Sequence, residues 1–293
     1  MRGFQDLVDE LEHDRSLSDP ERLRERIEAL DRLDSHLVDE DLPAIGELSA
    51  DDKCILRARA LHTKFEAANC ELYEGIRQEI QKGKGRESLL PWLPDRTVGR
   101  GCAPGVEKGQ GYDYLDELIS GILQFPAPGV ASVQLEPDMV FYQPTPARHV
   151  FDLIGRTALT ETDVLVDLGS GLGHVPLLVS ICTRARCIGI ELQTAYIDCA
   201  RFTAQHLKLD HVTFLQRDVR TADFSCGTMF YLYTPFTGSI LRTVLDKLQT
   251  ECAKREIRIC TFGPCTSPIA DEPWLQAVGA SEEDQIAVFR SRG

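Results

Sequence analysis

The sequence predicts an α/β fold: a seven-stranded, mostly parallel sheet with helices on both faces, preceded by an all-helical N-terminal region. Three observations lead to this fold class. Apolar residues recur at helical spacing up to about residue 98, a glycine- and proline-rich stretch follows, and short apolar runs then alternate with helical runs from Val164 onward. We therefore expect a helical domain over 1–98, a linker with a short helix over 99–137, and an α/β domain over 138–293.

Length, composition and charge restrict the class of protein. The chain has 293 residues, of which 43% are hydrophobic and 27% charged, as is usual for a globular protein. The net charge of -14 argues against general nucleic-acid binding, because basic surface normally supplies that attraction. It suits a basic protein or a small molecule as partner.

The ten cysteines lack zinc-ligand spacing, so we expect no metal site. Without an apolar leader or a membrane span, we expect a cytoplasmic location.

Two helices dominate the N-terminal region. Ser18, Pro20 and Glu21 form a typical helix start, in which Ser18 caps the helix and leucines and isoleucines then follow at steps of three and four. A longer helix begins after Asp51 and Asp52. Its apolar stripe consists of Cys54, Ala58, Leu61, Phe65, Ala68, Leu72, Ile76 and Ile80. This stripe either packs inside its own domain or pairs with a partner chain, which would make a homo-oligomer.

The stretch GRGCAPGVEKGQGY, residues 99–112, contains five glycines and a proline. It is either a lid over a site or a plain linker. A short helix from Tyr114 to Leu123 is expected to follow.

The α/β region contains seven apolar runs that read as strands: VLVDL, CIGIEL, VTFLQRD, TMFYLYTPF, IRICTF, WLQAV and QIAVFRS. Helical runs separate the first three strands from one another and the fourth from the fifth. In such sheets ligands bind beyond the carboxyl ends of the strands, where the strand order reverses.

The first strand-to-helix turn has an unusual glycine pattern. In VLVDLGSGLGHVPLL, residues 164–178, Gly169, Gly171 and Gly173 occupy every second position and Asp167 precedes them. The spacing fails the G-x-G-x-x-G pattern of dinucleotide sites. A carboxylate here would repel a pyrophosphate and attract an ammonium group. The sequence thus predicts a ligand that is nucleoside-like at one end and positively charged at the other.

S-adenosylmethionine fits that description, and the sequence here resembles the class I (Rossmann-like) S-adenosylmethionine-dependent methyltransferases. The matching residues are VDLGSGLG and the acids that end the next two strands, Glu191 and Asp218. The resemblance implies that Glu191 accepts hydrogen bonds from both ribose hydroxyls, that Asp218 faces the adenine amino group, and that the Val219 backbone contacts a ring nitrogen. A strand-end carboxylate such as Glu191 is expected to support few core contacts. An unrelated nucleotide or sugar-nucleotide binder is the alternative reading.

A second resemblance lies upstream. The segment MVFYQPTPARHVFDLI is similar to the one that precedes the glycine turn in the Dot1-like histone lysine methyltransferases and related bacterial proteins. It implies that Tyr142 and Thr145 lean over the methionine end of the cofactor. A tyrosine here is equally an ordinary packed aromatic residue. The first hundred residues carry no resemblance that identifies them.

The end of the fourth strand bears on the methyl acceptor. In many amino-methyltransferases of this class, Asn or Asp followed by Pro-Pro and an aromatic residue orients the acceptor. Here the stretch is Tyr233, Thr234, Pro235 and Phe236. Tyr233 is the candidate catalytic residue, although it is also readable as a strand-end tyrosine that closes the pocket wall. His174, at the start of the next helix after the glycines, is expected to be a local structural residue.

The predicted function is methyl transfer from S-adenosylmethionine to an unidentified acceptor, either a protein side chain or a small molecule. The departure at Tyr233 and Thr234 keeps a second hypothesis open: a non-catalytic cofactor-binding module that acts through protein contacts of its helical domain.

Overall fold

The computed structural model describes residues 2–37, 49–93, 111–129 and 134–292. Contacts divide the chain into two compact units, Met1–Ile76 and Arg77–Gly293. The division falls within a long helix rather than at residue 98, and the predicted domain boundaries at 98 and 137 stay a prediction. Among the described residues, no helix combines the length and the apolar character that crossing a membrane requires. The predicted lid over 99–112 lies almost entirely outside these residues.

The first unit contains helices α1 (Arg2–His13) and α2 (Leu23–Leu37) and most of α3 (Ala50–Gln81). Its hydrophobic core contains Val8 from α1, Leu33 from α2 and Phe65 from α3. The predicted α3 stripe is confirmed for six of its eight residues, since Cys54, Ala58, Leu61, Phe65, Ile76 and Ile80 are buried, whereas Ala68 and Leu72 are half-buried.

The predicted start of α2 is wrong. Residues Arg15–Ser18 and Pro20–Arg22 form separate 3-10 turns, and Asp19 between them is extended and makes no side-chain cap. The α-helix therefore begins at Leu23. The interruption is held by the fully buried Arg26, whose Nη1 donates to the carbonyl oxygens of Leu17 (2.9 Å) and Asp19 (2.7 Å). The spacing of apolar residues could not predict this buried arginine, because it takes only apolar side chains into account.

The second unit contains the α/β sheet. Its strands are β1 (Val164–Leu168), β2 (Arg186–Glu191), β3 (Val212–Gln216), β4 (Met229–Leu232), β5 (Arg258–Thr261), β6 (Leu275–Ala277) and β7 (Ala287–Ser291). Its further helices are α4 (Gly85–Leu89), α5 (Tyr114–Leu123), α6 (Ala147–Thr157), α7 (His174–Cys182), α8 (Thr194–His206), α9 (Gly238–Cys252) and α10 (Thr266–Ala270). The predicted short helix over 114–123 is confirmed as α5.

The sheet has seven strands in the order β3-β2-β1-β4-β5-β7-β6. Strands β1 to β5 run parallel, and β7 runs antiparallel between β5 and β6. All residues of β1 and β4 are buried, as expected for central strands covered by helices on both faces. The predicted fold class is confirmed. The strand order reverses between β1 and β4, which places a crevice at their carboxyl ends.

Candidate functional site

A cleft of about 540 Å³ opens at the carboxyl ends of β1 to β4. Its wall contains all the predicted site residues except Gly171 and Gly173: Tyr142, Thr145, Asp167, Gly169, Glu191, Asp218, Val219 and Tyr233. The structure therefore brings together, in one cavity, residues that are up to 91 positions apart in the sequence (142 to 233). Their individual roles toward a cofactor stay predictions.

The glycine turn is shaped by close contacts with the protein's own side chains. Gly169 and Gly171 have φ values of +90° and +51°, in the left-handed region. A Cβ on Gly169 would overlap Pro235, and one on Gly171 would overlap the ring of Tyr142. In the structure, the ring of Tyr142 takes the space beside Gly171.

Asp167 is the next-to-last residue of β1, and only 4% of it is exposed. Its carboxylate lines the cleft and makes no hydrogen bond within the part of the chain that the structure describes. Burial, followed by the nearby Glu191 carboxylate, raises the pKa of Asp167 well above its usual range. A buried carboxylate without a partner is costly, and a cation bound beside it would remove that cost.

This burial predicts a pH-dependent stability. The folded pKa of Asp167 lies above the unfolded value, so over that window the folded state keeps a proton that the unfolded chain has lost. Stability without ligand should therefore fall as the pH rises from about 4 through the raised pKa. Asp167→Asn should flatten this slope and raise stability by ~1 kcal/mol or more at pH 7.5, measured by urea denaturation across the pH range. Asp210→Asn, at an exposed aspartate, is the control; equal slopes in the Asp167 variant and the parent would contradict the expectation.

Glu191 fastens the end of β2 to the glycine turn. Its Oε1 accepts hydrogen bonds from the backbone N–H groups of Leu192 (2.7 Å) and Gln193 (2.8 Å), and its Oε2 accepts one from Gly171 (2.9 Å). The expectation that this strand-end carboxylate supports few contacts is wrong. A carboxylate offers about four lone-pair positions, so capacity remains for a ligand hydroxyl.

Asp218 shares its carboxylate with Arg220. The Arg220 Nε lies 3.0 Å from both oxygens, and Nη2 lies 2.6 Å from Oδ2. The same guanidinium binds Glu136 at 2.9 and 2.6 Å, and Arg220 lowers the pKa of Asp218. Asp218 therefore stays ionised, and its oxygens are already engaged on one side. Sequence reasoning missed Arg220 and Glu136, although an arginine two residues after Asp218 was a usable signal.

The Val219 backbone lies in the cleft wall, and its predicted contact with adenine stays a prediction. Its carbonyl oxygen accepts a hydrogen bond from Lys247 Nζ at 3.2 Å. Within the described residues its N–H makes no backbone hydrogen bond, and Val219 lines the cleft. This N–H is available to a ring nitrogen, as the resemblance implies.

Tyr142 and His174 form a hydrogen-bonded pair, with 3.0 Å between the Tyr142 hydroxyl and His174 Nδ1. The Tyr142 ring also packs against Tyr196, with ring centres 5.1 Å apart. Burial lowers the pKa of His174 to about 4, so its imidazole is neutral at physiological pH. His174 thus holds Tyr142 in place, which agrees with the local structural role expected for it.

Thr145 is bonded to a residue that the sequence did not single out. Its Oγ1 lies 2.9 Å from the hydroxyl of Tyr231, and both residues are buried and line the cleft. Tyr231 stands beside Asp167 in the parallel pairing of β1 and β4. The sequence could have indicated Tyr231, because it lies two residues before Tyr233 and alternate residues of a strand share a face.

The loop after β4 is strained. Thr234 has a φ of +40°, which a β-branched residue rarely adopts. Two reciprocal bonds hold it: the Thr234 N–H donates to Cys265 Sγ (3.4 Å), and the Cys265 N–H donates to Thr234 Oγ1 (3.0 Å). Tyr233 packs against Phe262 at 4.7 Å, and burial raises the pKa of Tyr233. Its hydroxyl therefore stays protonated at neutral pH.

Gly263 provides a test of how tightly this loop is packed. A Cβ there would lie 2.9 Å from Thr234 Oγ1 and 3.1 Å from the Tyr233 ring, and φ is +81°. We expect Gly263→Ala to destabilise the fold by about 2–3 kcal/mol in urea denaturation. Gly279→Ala is the matched control, since φ is +93° there and no atom lies within 4 Å. Equal losses in the two variants would show that only the backbone, and not the loop contact, matters.

Part of the chain that contains the cleft matches a known protein family. Residues 139–227, which include most of the cleft wall, match the family model for the histone methylation protein DOT1. The matched segment lies within the second unit and covers 89 of the 293 residues. The resemblance to the Dot1-like methyltransferases predicted from the sequence is thereby confirmed for residues 139–227. No curated protein sequence is significantly similar to the chain.

The chain is also similar to solved structures of methyltransferases. An RNA methyltransferase from Salinibacter ruber, in complex with S-adenosyl-L-homocysteine, is 26% identical over 51% of this chain and 92% of that chain, with a TM-score of 0.39. A putative methyltransferase from Escherichia coli is 15% identical over 53% and 90%, with a TM-score of 0.41. An S-adenosylmethionine-dependent methyltransferase from Aquifex aeolicus is 14% identical over 48% and 88%, with a TM-score of 0.39.

Proposed function

We propose that the second unit binds S-adenosylmethionine in the cleft and transfers its methyl group to a basic protein. The observation that carries the proposal is Asp167, a buried carboxylate that faces the cleft and has no hydrogen-bond partner among the described residues. Such a group calls for a cationic ligand, and S-adenosylmethionine carries an ammonium group and a sulfonium. The match to the DOT1 family model supports the same proposal.

The residues present fit this cofactor. Asp167 would hold the ammonium group, Glu191 would accept from the ribose hydroxyls, and Asp218 with the Val219 N–H would face the adenine edge. When bound, S-adenosylmethionine supplies a methyl group activated by the positive sulfonium. The protein's part is to orient it and to exclude water, since in-line displacement depends chiefly on positioning and desolvation.

The loop that follows β4 contributes Tyr233, Thr234, Pro235 and Phe236 to the described cleft wall, and none of these four side chains is an ionised base at neutral pH. Tyr233 is protonated at neutral pH and can only orient an acceptor through its hydroxyl. The acceptor must therefore arrive as a neutral nucleophile or lose its proton to water.

Two features support a protein acceptor. Phe141 and Val140, which line the cleft, are 84% and 42% exposed, so apolar surface is exposed beside it. Exposed apolar surface next to a site is typical of protein contacts. The net charge of -14 would attract a basic partner. The cytoplasmic location expected from the sequence belongs to this proposal as well.

The test is transfer of labelled methyl groups from S-adenosylmethionine by the full chain, with a cell extract separated into protein and small-molecule fractions. We expect label in one or a few proteins, and its loss with Asp167→Asn. Label in the small-molecule fraction alone would contradict the protein acceptor. Cofactor binding without transfer to either fraction would contradict methyl transfer and favour the non-catalytic module.

A further inference from the structure

The hydroxyl groups of Tyr231 and Thr145 form a buried pair with one proton to spare. Each hydroxyl carries one proton, and the single bond between them, 2.9 Å long, uses only one of the two. Within the described residues neither oxygen has another partner. Tyr231 is 1% exposed and Thr145 7%, so an acceptor for this proton would have to lie in the cleft that both residues line. A buried O–H without an acceptor is costly, and here it borders a cleft.

The position of the pair indicates what the proton would bind. Tyr231 stands beside Asp167 in the pairing of β1 with β4, yet no hydrogen bond joins their side chains. Among the described residues of the cleft wall, Arg217 is the one lysine or arginine. It follows β3. Strands β2 and β1 separate β3 from β4 in the sheet. An anionic group at the β4 end would therefore depend on neutral donors, among which hydroxyl groups are one kind.

We propose that Tyr231 is a positioning residue for the cofactor: it orients the Thr145 hydroxyl so that the pair donates its spare proton to the α-carboxylate of the methionine portion. This inference rests on the proposed function, because it assigns a partner to one end of S-adenosylmethionine. The two charged groups of the methionine portion then have separate partners, a hydrogen-bond acceptor and a hydrogen-bond donor. Asp167 takes the ammonium group, and the Tyr231–Thr145 pair takes the carboxylate.

The test compares two ligands by calorimetry. S-adenosylhomocysteine has the amino-acid end, and 5′-methylthioadenosine lacks it. Tyr231→Phe removes one hydroxyl and leaves the ring. We expect it to weaken S-adenosylhomocysteine about tenfold, as for loss of one hydrogen bond to a charged group, and to change 5′-methylthioadenosine by less than about twofold.

Two further variants separate this role from general destabilisation. Thr145→Val should reproduce the selective loss, and adding Tyr231→Phe to it should cause little further loss, because the two hydroxyls act as one unit. Thr266→Val is the matched control: it breaks the buried Thr261–Thr266 hydroxyl pair, 2.8 Å long, which lies outside the cleft wall. It should leave both affinities unchanged.

The outcomes are distinguishable from those of the proposed function. If the parent protein binds neither ligand, the proposed function and this inference both fall. If the parent binds S-adenosylhomocysteine and Tyr231→Phe binds it equally well, only the inference falls. An equal loss for both ligands in Tyr231→Phe, or additive losses in the double variant, would also overturn it.

Discussion

Gly171→Val should abolish binding of S-adenosylhomocysteine and destabilise the second unit by about 3 kcal/mol or more. The valine Cβ would occupy the position of the Tyr142 ring, and φ at residue 171 is +51°. Tyr142 would have to move, which breaks its bond to His174. The Gly171 N–H that holds Glu191 would shift as well. One substitution thus disturbs both ends of the predicted site, which calorimetry and urea denaturation would record.

A Tyr142→Ala background tests whether overlap with the Tyr142 ring is the reason that residue 171 must be glycine. In a Tyr142→Ala background the space beside residue 171 is vacant, so Gly171→Ala should cost only the left-handed backbone, about 1 kcal/mol. In the parent background the same Gly171→Ala should cost clearly more. If its cost is the same in both backgrounds, the ring of Tyr142 is not what requires a glycine at this position.

Glu191→Ala should lower the affinity for S-adenosylhomocysteine by one to three powers of ten, because two charge-assisted hydrogen bonds contribute roughly 1.5–3 kcal/mol each and are not additive. It should also lower the free energy of unfolding. Three backbone N–H groups, from Gly171, Leu192 and Gln193, lose their acceptor. Water replaces part of that bonding at this half-buried site, so we expect a loss of about 2–3 kcal/mol.

Glu191→Gln separates the two effects. The amide oxygen can still accept from Leu192 and Gln193, whereas its NH₂ group cannot accept from Gly171. We expect stability between that of the parent and Glu191→Ala, with affinity reduced nearly as much as in Glu191→Ala. If Glu191→Ala binds S-adenosylhomocysteine as tightly as the parent and melts at the same temperature, the assignment of β2 to the ribose is wrong.

The sequence made the frame of the site predictable because polar residues followed apolar strands at regular intervals. Asp167, Glu191 and Asp218 lie at or just beyond the ends of three consecutive strands, and parallel strands bring such positions to one edge. The seven strands could be assigned for the same reason, since each apolar run was bounded by polar or turn residues.

Contacts between distant segments were not predictable in this way. Arg220 reaches Glu136, 84 residues away, and no local pattern pairs them. Tyr231 lies inside a fully buried strand, where a tyrosine reads as ordinary core. Arg26 interrupts the start of α2 through carbonyl groups that have no sequence signature. The contact between Gly171 and Tyr142 was not predictable either, because a glycine in the sequence does not indicate which residue occupies the space beside it.

The most direct measurement is a calorimetric titration of the full chain with S-adenosylhomocysteine, with the parent protein and Asp167→Asn compared at pH 7.5. We expect one site per chain with a dissociation constant in roughly the micromolar range, as is usual for enzyme ligands, and a large loss of affinity in the variant. Binding of equal strength in both proteins would contradict the role given to Asp167. No heat and no shift in melting temperature for the parent at millimolar ligand would contradict the assignment of the cleft to S-adenosylmethionine.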